Sequence, residues 1–335
     1  MNSVDASEHY DLGTTDLAPS LLTIVFDTNP HAWAALDQSL PLSKAIANIL
    51  VFINAHLACN YANEVAIVAS HSQKAAWLYP SQHEASSSGT PTTDQDGDLA
   101  MNGSIPSQTN KYRPFRLVEE QVTKNLKDLM DSTSNNDVRG NTSTMLAGAL
   151  TLALSHINRR TIAWAEEHGG ADLEDAAADG GAGTGSGSGR PSAANEDERL
   201  QSRILIVSVS GSSDSAHQYI PVMNSIFACQ RLQIPIDVCK LSGDAVFLQQ
   251  ACDATKGVYM ALSEPRGLLQ YLMMAFLPDQ RSRRHLVLPT RVDVDFRAAC
   301  FCHRRVVDIG KKKKKKRANG TSAAGTPMST PTPGP

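Results

Sequence analysis

The chain has 335 residues, a formal net charge of −3 and six cysteines. A net charge so close to zero argues against a protein that binds nucleic acid by overall basicity, and six cysteines in so long a chain argue against a disulfide scaffold. The N-terminal residues are polar and carry no signal peptide, and no apolar run approaches 18 residues, so neither secretion nor a membrane span is expected.

Four stretches are predicted to be disordered, because they are polar, rich in glycine or dominated by one charge. They are residues 1–17, 81–111, 166–200 and 311–335. One domain is predicted over residues 18–280, with the two middle stretches as insertions in it. A linker and a short zinc-finger-like segment follow at 281–310.

The first half of this domain alternates strands with helices. "SLLTIVFDT" (20–28) is an uninterrupted apolar run, which is typical of a strand buried on both faces of a sheet. The turn at 71–74 is too short for a crossover, so the two strands that it joins are predicted to be antiparallel. The remaining predicted elements are strands at 64–70 and 75–80 and helices around 46–57, 118–129 and 146–157.

The second half repeats the alternation and ends in a break. Ser263 is predicted to cap a helix that has Pro265 in its first turn and runs through Leu277. "PDQRSRRH" then indicates a domain boundary. The other predicted elements are strands at 203–210, 234–241 and 257–262 and helices around 219–227 and 245–254. This order predicts an α/β fold, with a mostly parallel six-stranded sheet covered by helices on both faces.

Polar residues gather where two predicted strands end. Asp27-Thr28-Asn29-Pro30-His31 follows the first strand, and Ser208-Val209-Ser210-Gly211 follows the fourth. A third segment, "GNTSTMLAGAL" (140–150), opens a helix with small hydroxyl residues. Ligands of open α/β sheets lie beyond the carboxyl ends of the strands, so these segments mark the candidate site.

The three segments together resemble the von Willebrand factor A (vWA) domain, a Rossmann-like fold, over roughly residues 18–280. In that family an acid-x-Ser-x-Ser loop, a threonine and an Asp-Gly pair hold Mg²⁺ or Mn²⁺ through oxygen ligands. Asp27 matches the first acid and Thr144 the threonine, whereas Asn29 and His31 replace the two serines and Ser210 replaces the second acid. The resemblance therefore implies a degenerate site without Mg²⁺, in which Asp27 orders its loop.

Catalytic motifs are weak. "GSGSGR" neither follows a strand nor opens a helix, so it fails the dinucleotide-binding pattern. "VSVSGS" lacks the first glycine of a nucleophile elbow. His56 lies beside the apolar stripe of a helix and His71 lies in a turn, where both are expected to be structural. The chain is predicted not to be an enzyme.

The segment "VDFRAACFCHRRVVDIG" (294–310) contains three potential metal ligands, Cys300, Cys302 and His303. It resembles the start of the zinc-finger region in the smaller vWA-containing subunits of the general transcription factor TFIIH. The stretches "LLTIVFDTNPHAW", "MLAGALTLALSHINR", "YIPVMNSIFACQ" and "GVYMALSEPRGLLQYLMMAFLPD" carry the same resemblance. Most of the predicted ordered chain is therefore covered by it.

The zinc-finger segment departs from the family pattern. Family members continue with further Cys-x-x-Cys pairs, whereas this chain passes into a basic run. Structural zinc takes about four ligands, and Cys300, Cys302 and His303 supply three at most, so stoichiometric zinc is not expected here. The basic run is interpreted as a nuclear import signal, with a solvated disordered tail as the alternative. It consists of Lys311, Lys312, Lys313, Lys314, Lys315, Lys316 and Arg317.

The resemblance implies a nuclear, non-catalytic scaffold subunit of the TFIIH core, which acts in RNA polymerase II transcription initiation and nucleotide excision repair. Its expected partners are the larger vWA- and zinc-ring-containing subunit and other core subunits, with no membrane and at most indirect DNA contact. Two alternatives are a proteasome-type vWA scaffold and a metal-dependent vWA ligand-binding module. The missing signal peptide and the residues Asn29, His31 and Ser210 argue against the second of these.

Overall fold

The computed structural model describes residues 19–80, 113–140, 143–167, 200–211, 218–243 and 245–287, with short pieces between 294 and 307. Eight strands lie in these residues: β1 Ser20–Asp27, β2 Glu64–Ser70, β3 Ala75–Tyr79, β4 Gln201–Ser208, β5 Ile236–Lys240, β6 Tyr259–Ala261, β7 Ala298–Cys300 and β8 Arg305–Val307. The first six form one sheet in the order β3-β2-β1-β4-β5-β6. Only β2 and β3 pair antiparallel within it, as the short turn predicts.

Helices cover both faces of the sheet. They are α1 Pro30–Leu36, α2 Leu42–Cys59, α3 Arg113–Asp131, α4 Asn135–Gly140, α5 Leu146–Glu167, α6 Tyr219–Arg231, α7 Val246–Thr255, α8 Leu268–Tyr271 and α9 Gln280–Arg283. The predicted fold class, an α/β domain of the von Willebrand A type with a six-stranded sheet, is confirmed. Strands β7 and β8 form a separate antiparallel pair.

Strand β1 lies at the centre of the sheet and is buried along its whole length. Leu22, Ile24 and Phe26 belong to the core formed with α1, α2, α3 and α8. Leu21 and Val25 point the other way, into the core formed with α5, α6 and α7. Because successive side chains of a strand face opposite sides of the sheet, an uninterrupted apolar run is the pattern that such a strand requires.

In the part of the chain that the structure describes, one helix, α2, is long and apolar enough to cross a membrane, judged by length and composition alone. The expectation that no segment has that character was therefore wrong. Core helices meet the same criterion, and α2 buries Ala45, Ile49, Phe52 and Ile53 in the core beneath the sheet.

Residue Ser263 does not cap the helix that follows β6. A 3₁₀ turn, Pro265–Gly267, begins after Glu264, and no side chain caps it. The chain then continues through α8 into a π-helical turn, Leu272–Phe276. Leu268, Leu272 and Phe276 are buried against the sheet, so packing of this apolar face, and not a hydroxyl cap, sets where the helix begins.

The chain after Leu277 remains attached to the domain. Arg283, in α9, places its guanidinium on the Asp237 carboxylate of β5 in two parallel hydrogen bonds of 2.9 and 2.7 Å. Arg203 of β4 donates from Nη1 to the carbonyl oxygen of Pro278 at 2.8 Å. Burial, and then the nearby charge of Arg283, lowers the pKa of Arg203 to about 10. The boundary expected after residue 280 thus falls inside α9, which packs as part of the domain.

The insertions and termini that the sequence predicts to be disordered fall almost wholly outside the described residues. Within them, only the end of α5 and the buried Leu200 before β4 are described. The predicted disorder of 1–17, 81–111, 166–200 and 311–335 stays a prediction.

Candidate strand-end site

The candidate site lies where β1 and β4 end side by side. Asn29 follows β1 and caps α1, because its Oδ1 accepts a hydrogen bond from the backbone N–H of His31 at 3.1 Å. Pro30 occupies the first turn of α1, where its missing N–H costs nothing. The sequence Asn-Pro after a buried strand therefore produces an immediate turn into a helix at the carboxyl edge of the sheet.

The carboxylate of Asp27 is buried and holds this edge together. Its Oδ2 accepts hydrogen bonds from the backbone N–H groups of Val209 at 3.0 Å and Ser210 at 2.8 Å. Its Oδ1 accepts one from the N–H of Asn29 at 3.2 Å. Asp27 therefore ties the loop after β1 to the loop after β4, which is the ordering role inferred from the sequence.

Four of the five predicted positions come together here. Asn29 donates from Nδ2 to Ser210 Oγ at 2.9 Å, and Thr144 lies buried beside Asp27 and Ser210 around a cavity of about 10 Å³. His31 does not join them. Its side chain is exposed and donates from Nε2 to the carbonyl oxygen of Val138 at 2.6 Å.

One residue of the site was missed by sequence reasoning. Lys240, at the end of β5, is only 1 % exposed, and its Nζ donates to Ser208 Oγ at 3.0 Å and to the carbonyl oxygen of Ser210. The available signal was a lysine closing the apolar run "IPIDVCKL" beside the strand that ends in Ser208. A charged side chain at the carboxyl end of a buried parallel strand lies at the same edge of the sheet as the carboxyl ends of the neighbouring strands.

These residues do not fit Mg²⁺ or Mn²⁺. The oxygens of Asp27 are engaged by three N–H donors, Ser210 brings no charge, and the Lys240 ammonium would repel a cation. The cavity of about 10 Å³ is near the smallest that holds one water, whereas Mg²⁺ keeps several waters. Among the residues that the structure describes, no three His, Cys, Asp or Glu side chains come together in a way that could hold a metal.

The zinc-finger and basic residues are placed only in part. Cys300 ends β7, which pairs with β8. Cys302, His303 and the basic run 311–317 lie outside the described residues. The predicted partial zinc site and import signal stay predictions.

A second cavity, of about 380 Å³, opens at the amino ends of the strands. Its lining includes Ser20, His56, Asn63, Met273 and Asp279. His56 is buried and donates from Nε2 to the carbonyl oxygen of Glu64 at 3.3 Å. Burial, and then the charge of Arg203, lowers the pKa of His56 to about 4.

Acid is therefore expected to destabilise the domain through His56. Its folded-state pKa lies below the ordinary value, so this contribution is complete above pH 6.5 and is lost as the pH falls from there toward 4. Between pH 7.5 and pH 5 the loss should be about 2 kcal/mol. Urea unfolding across this range measures it. His56→Gln should flatten the profile, and an unchanged slope in that variant would contradict the assignment.

Comparisons with known proteins agree on one family. The family model described as transcription factor Tfb4 matches residues 19–311. The chain is 40 % identical to the general transcription and DNA repair factor IIH subunit tfb4 of Schizosaccharomyces pombe, over 87 % of this chain and 81 % of that protein. It is 36 % identical to the corresponding subunit of Yarrowia lipolytica, over 92 % and 86 %.

A solved structure adds the fold. The crystal structure of the TFIIH p34 N-terminal domain superposes with a TM-score of 0.57 at 42 % identity, covering 78 % of this chain and 99 % of that one. The matched region spans the whole described α/β domain and reaches the hairpin that contains Cys300. The family model matches most of the chain, and the chain covers most of the length of these relatives. The chain therefore belongs to the Tfb4 family of transcription and DNA repair factor IIH subunits.

Proposed function

We propose that this protein is a nuclear, non-catalytic scaffold of the TFIIH core, and that its α/β domain binds the larger vWA- and zinc-ring-containing subunit. Through that assembly it acts in RNA polymerase II transcription initiation and nucleotide excision repair. The main support is the family membership together with one surface, the outer face of α6, which carries exposed apolar side chains.

The outer face of α6 has the character of an interface core. Ile220 is 49 % exposed and Phe227 is 56 % exposed, and they lie seven residues apart on one side of the helix. Leu232, just after the helix, is also exposed. Aromatic and large aliphatic side chains are typical of the centre of protein interfaces, where charged residues are depleted. Gln218, just before α6, donates to the carbonyl oxygen of Thr144, so the amino end of α6 lies beside the strand-end site.

The candidate acid–base groups support a non-catalytic role, because structural hydrogen bonds engage them. His71 is buried, with Nδ1 3.0 Å from the carbonyl oxygen of Thr28 and Nε2 2.9 Å from Thr133 Oγ1. Burial lowers the pKa of His71. The Asp27 carboxylate is engaged by backbone N–H donors in the same way. Neither presents a free group at a surface cavity.

Affinity purification of a tagged full-length chain from nuclear extract tests the function. Mass spectrometry should find TFIIH subunits among the co-purifying proteins, with the larger vWA subunit the most abundant. Proteasome subunits in their place would favour the proteasome-type scaffold. Recovery of other proteins that are retained only while Mg²⁺ is present would favour the metal-dependent module. Either result would overturn the proposal.

Zinc is proposed to belong to the complete finger of the family and not to be stoichiometric in this chain. Cys300, Cys302 and His303 are one ligand short of a tetrahedral site, and the binding energy of such sites is what folds them. Elemental analysis of the purified protein should find well under one zinc per chain. One zinc per chain that is lost in Cys302→Ser would show instead that these residues and a further ligand complete a site.

The basic run 311–317 is proposed to act in nuclear import, because seven consecutive cations match the composition of an import signal and offer no apolar side chain for a core. Deleting it should move a tagged protein toward the cytoplasm without changing its unfolding midpoint. A subunit can also enter with its partner, so the comparison belongs in cells depleted of the larger subunit. Full nuclear accumulation there would contradict an import role. The overall charge of −3 supports at most indirect contact with DNA.

A further inference from the structure

The cavity of about 380 Å³ at the amino ends of the strands, called here the amino-end cavity, has largely apolar walls that the scaffold role does not explain. Met273 and Leu277 line it from the helical segment after β6, and Leu286 lines it from the chain after α9. Met273 belongs to the π-helical turn Leu272–Phe276, and such turns often occur at functional sites. Leu286 is half exposed, so this wall is open to apolar side chains from outside the domain.

Positive charge predominates in α9 and in the sheet residues that it contacts. The charged residues there are four arginines, Arg203, Arg281, Arg283 and Arg284, and two aspartates, Asp237 and Asp279. After burial, the charge of Arg203 is the next largest cause of the lowered pKa of His56, which lines the cavity. The positive potential of these arginines therefore reaches the cavity, and it favours an acidic occupant.

The segment that precedes β1, residues 1–18, lies outside the described residues and has the complementary composition. Its charged residues, apart from histidine, are all acidic: Asp5, Glu8, Asp11 and Asp16. Tyr10 and Leu12 are large apolar side chains on either side of Asp11. Ser20, the first residue of β1, lines the cavity, so the segment joins the sheet at the cavity wall. A span of eight residues joins Leu12 to Ser20 and reaches at most about 26 Å, which is ample.

We propose that this segment docks on the amino-end cavity of its own chain, with Tyr10 and Leu12 against Met273 and Leu286 and with its acidic residues toward the arginines. Because the segment is attached at Ser20, its effective concentration at the cavity is about millimolar, and a weak contact is enough to populate the docked state. The contact lies at the opposite end of the sheet from the strand-end site, so it is independent of which subunit binds α6.

The thiol of Cys59 reports whether the segment covers the cavity, because it is exposed and belongs to the lining. The full-length chain is labelled with iodoacetamide under reducing conditions, and mass spectrometry measures the rate at each cysteine. Tyr10→Ser combined with Leu12→Ser should raise the rate at Cys59 at least about three-fold, since labelling follows the fraction of time that the cavity is open. Tyr10→Phe combined with Leu12→Met keeps two apolar side chains and should keep the slow rate. Equal rates in all three proteins would overturn the proposal.

The same labelling experiment contains a control for folding and a test for another occupant. Cys252 is buried in the core and should react slowly in every variant, as it does in an intact domain. A second copy of the chain could also cover the cavity. Protection of Cys59 that grows with protein concentration and survives both serine substitutions would show this, and would overturn docking in the same chain.

A crosslinking measurement does not depend on how the serine variant folds. Tyr10 is replaced by the photoreactive p-benzoylphenylalanine in the full-length chain, which keeps a large aromatic side chain at this position. Irradiation at low protein concentration should crosslink it, within one chain, to Met273 or to other residues that line the cavity. The absence of any such crosslink to the cavity within one chain would overturn the docking.

Discussion

Replacing Arg283 by Met should destabilise the domain by about 3–5 kcal/mol. The substitution removes both guanidinium hydrogen bonds from Asp237 and leaves that carboxylate buried on β5 with one remaining donor, the backbone N–H of Val258 at 2.9 Å. The two side chains are only 7 % and 1 % exposed, so water cannot replace the lost partner. Urea unfolding of the full-length chain measures the loss.

A matched control comes from an exposed ion pair. Arg116 and Glu120 lie one turn apart on α3, with both side chains about 60 % exposed. Exposed pairs of this kind contribute about 0.5 kcal/mol or less, so Arg116→Met should change stability little. Replacing both buried partners, with Asp237→Leu added to Arg283→Met, should recover part of the loss, since the carboxylate is then removed together with its partner. The recovery should be incomplete, because the buried Arg203 also loses the nearby charge of Asp237. A loss below about 1 kcal/mol for Arg283→Met alone would contradict the account.

The consequence of this ion pair is structural. It anchors α9, so the chain that leads to the Cys300 hairpin departs from a defined place at the amino ends of the strands. A finger attached there would have a set starting point relative to the sheet. Truncations of the protein should therefore end after residue 287 and not at the boundary expected from the sequence.

Placing a charge on the outer face of α6 should weaken partner binding strongly. Phe227→Glu or Ile220→Glu puts a carboxylate at the centre of the proposed interface, which should cost about 2–5 kcal/mol of binding free energy. A loss of this size is at least about 30-fold in affinity. Both side chains are about half exposed in the free domain, so the unfolding midpoint should change little. Binding to the larger vWA subunit is measured by calorimetry.

Tyr61→Glu is the control for this prediction. Tyr61 is 96 % exposed and lies between α2 and β2, at the opposite end of the sheet from the strand-end site. The Tyr61→Glu variant should bind the partner as strongly as the unaltered protein does. Normal binding by Phe227→Glu together with a loss in Tyr61→Glu would place the interface at the amino ends of the strands.

The sequence predicts most of the fold because its strongest signals are local. The apolar run of β1, the short turn at 71–74 and the helical spacing of α2, α3 and α5 each depend on neighbouring residues, and the structure contains all of them. The two strand ends with Asp27 and Ser210 were also found, since sheets of this class bring carboxyl ends together.

The parts that were missed depend on distant pairing. Arg283 and Asp237 are separated by 46 residues, and nothing local distinguishes "PDQRSRRH" from a linker until its arginine meets a carboxylate in the core. Lys240 likewise becomes part of the site only because β5 lies beside β4. Ser263 looked like a cap because its hydroxyl precedes a proline, but burial of Leu268 and Leu272 determines the helix.

The central claim is that the α/β domain alone carries the contact with the larger subunit, and one pull-down tests it most directly. The bait is the zinc-ring domain of that subunit, and the prey is this chain ending after residue 287 and lacking 81–111 and 168–199. The similar TFIIH p34 N-terminal domain has been crystallised as a domain. The trimmed protein should bind as strongly as the full-length chain. A trimmed protein that is folded by circular dichroism and fails to bind, while residues 288–335 bind alone, would contradict the account.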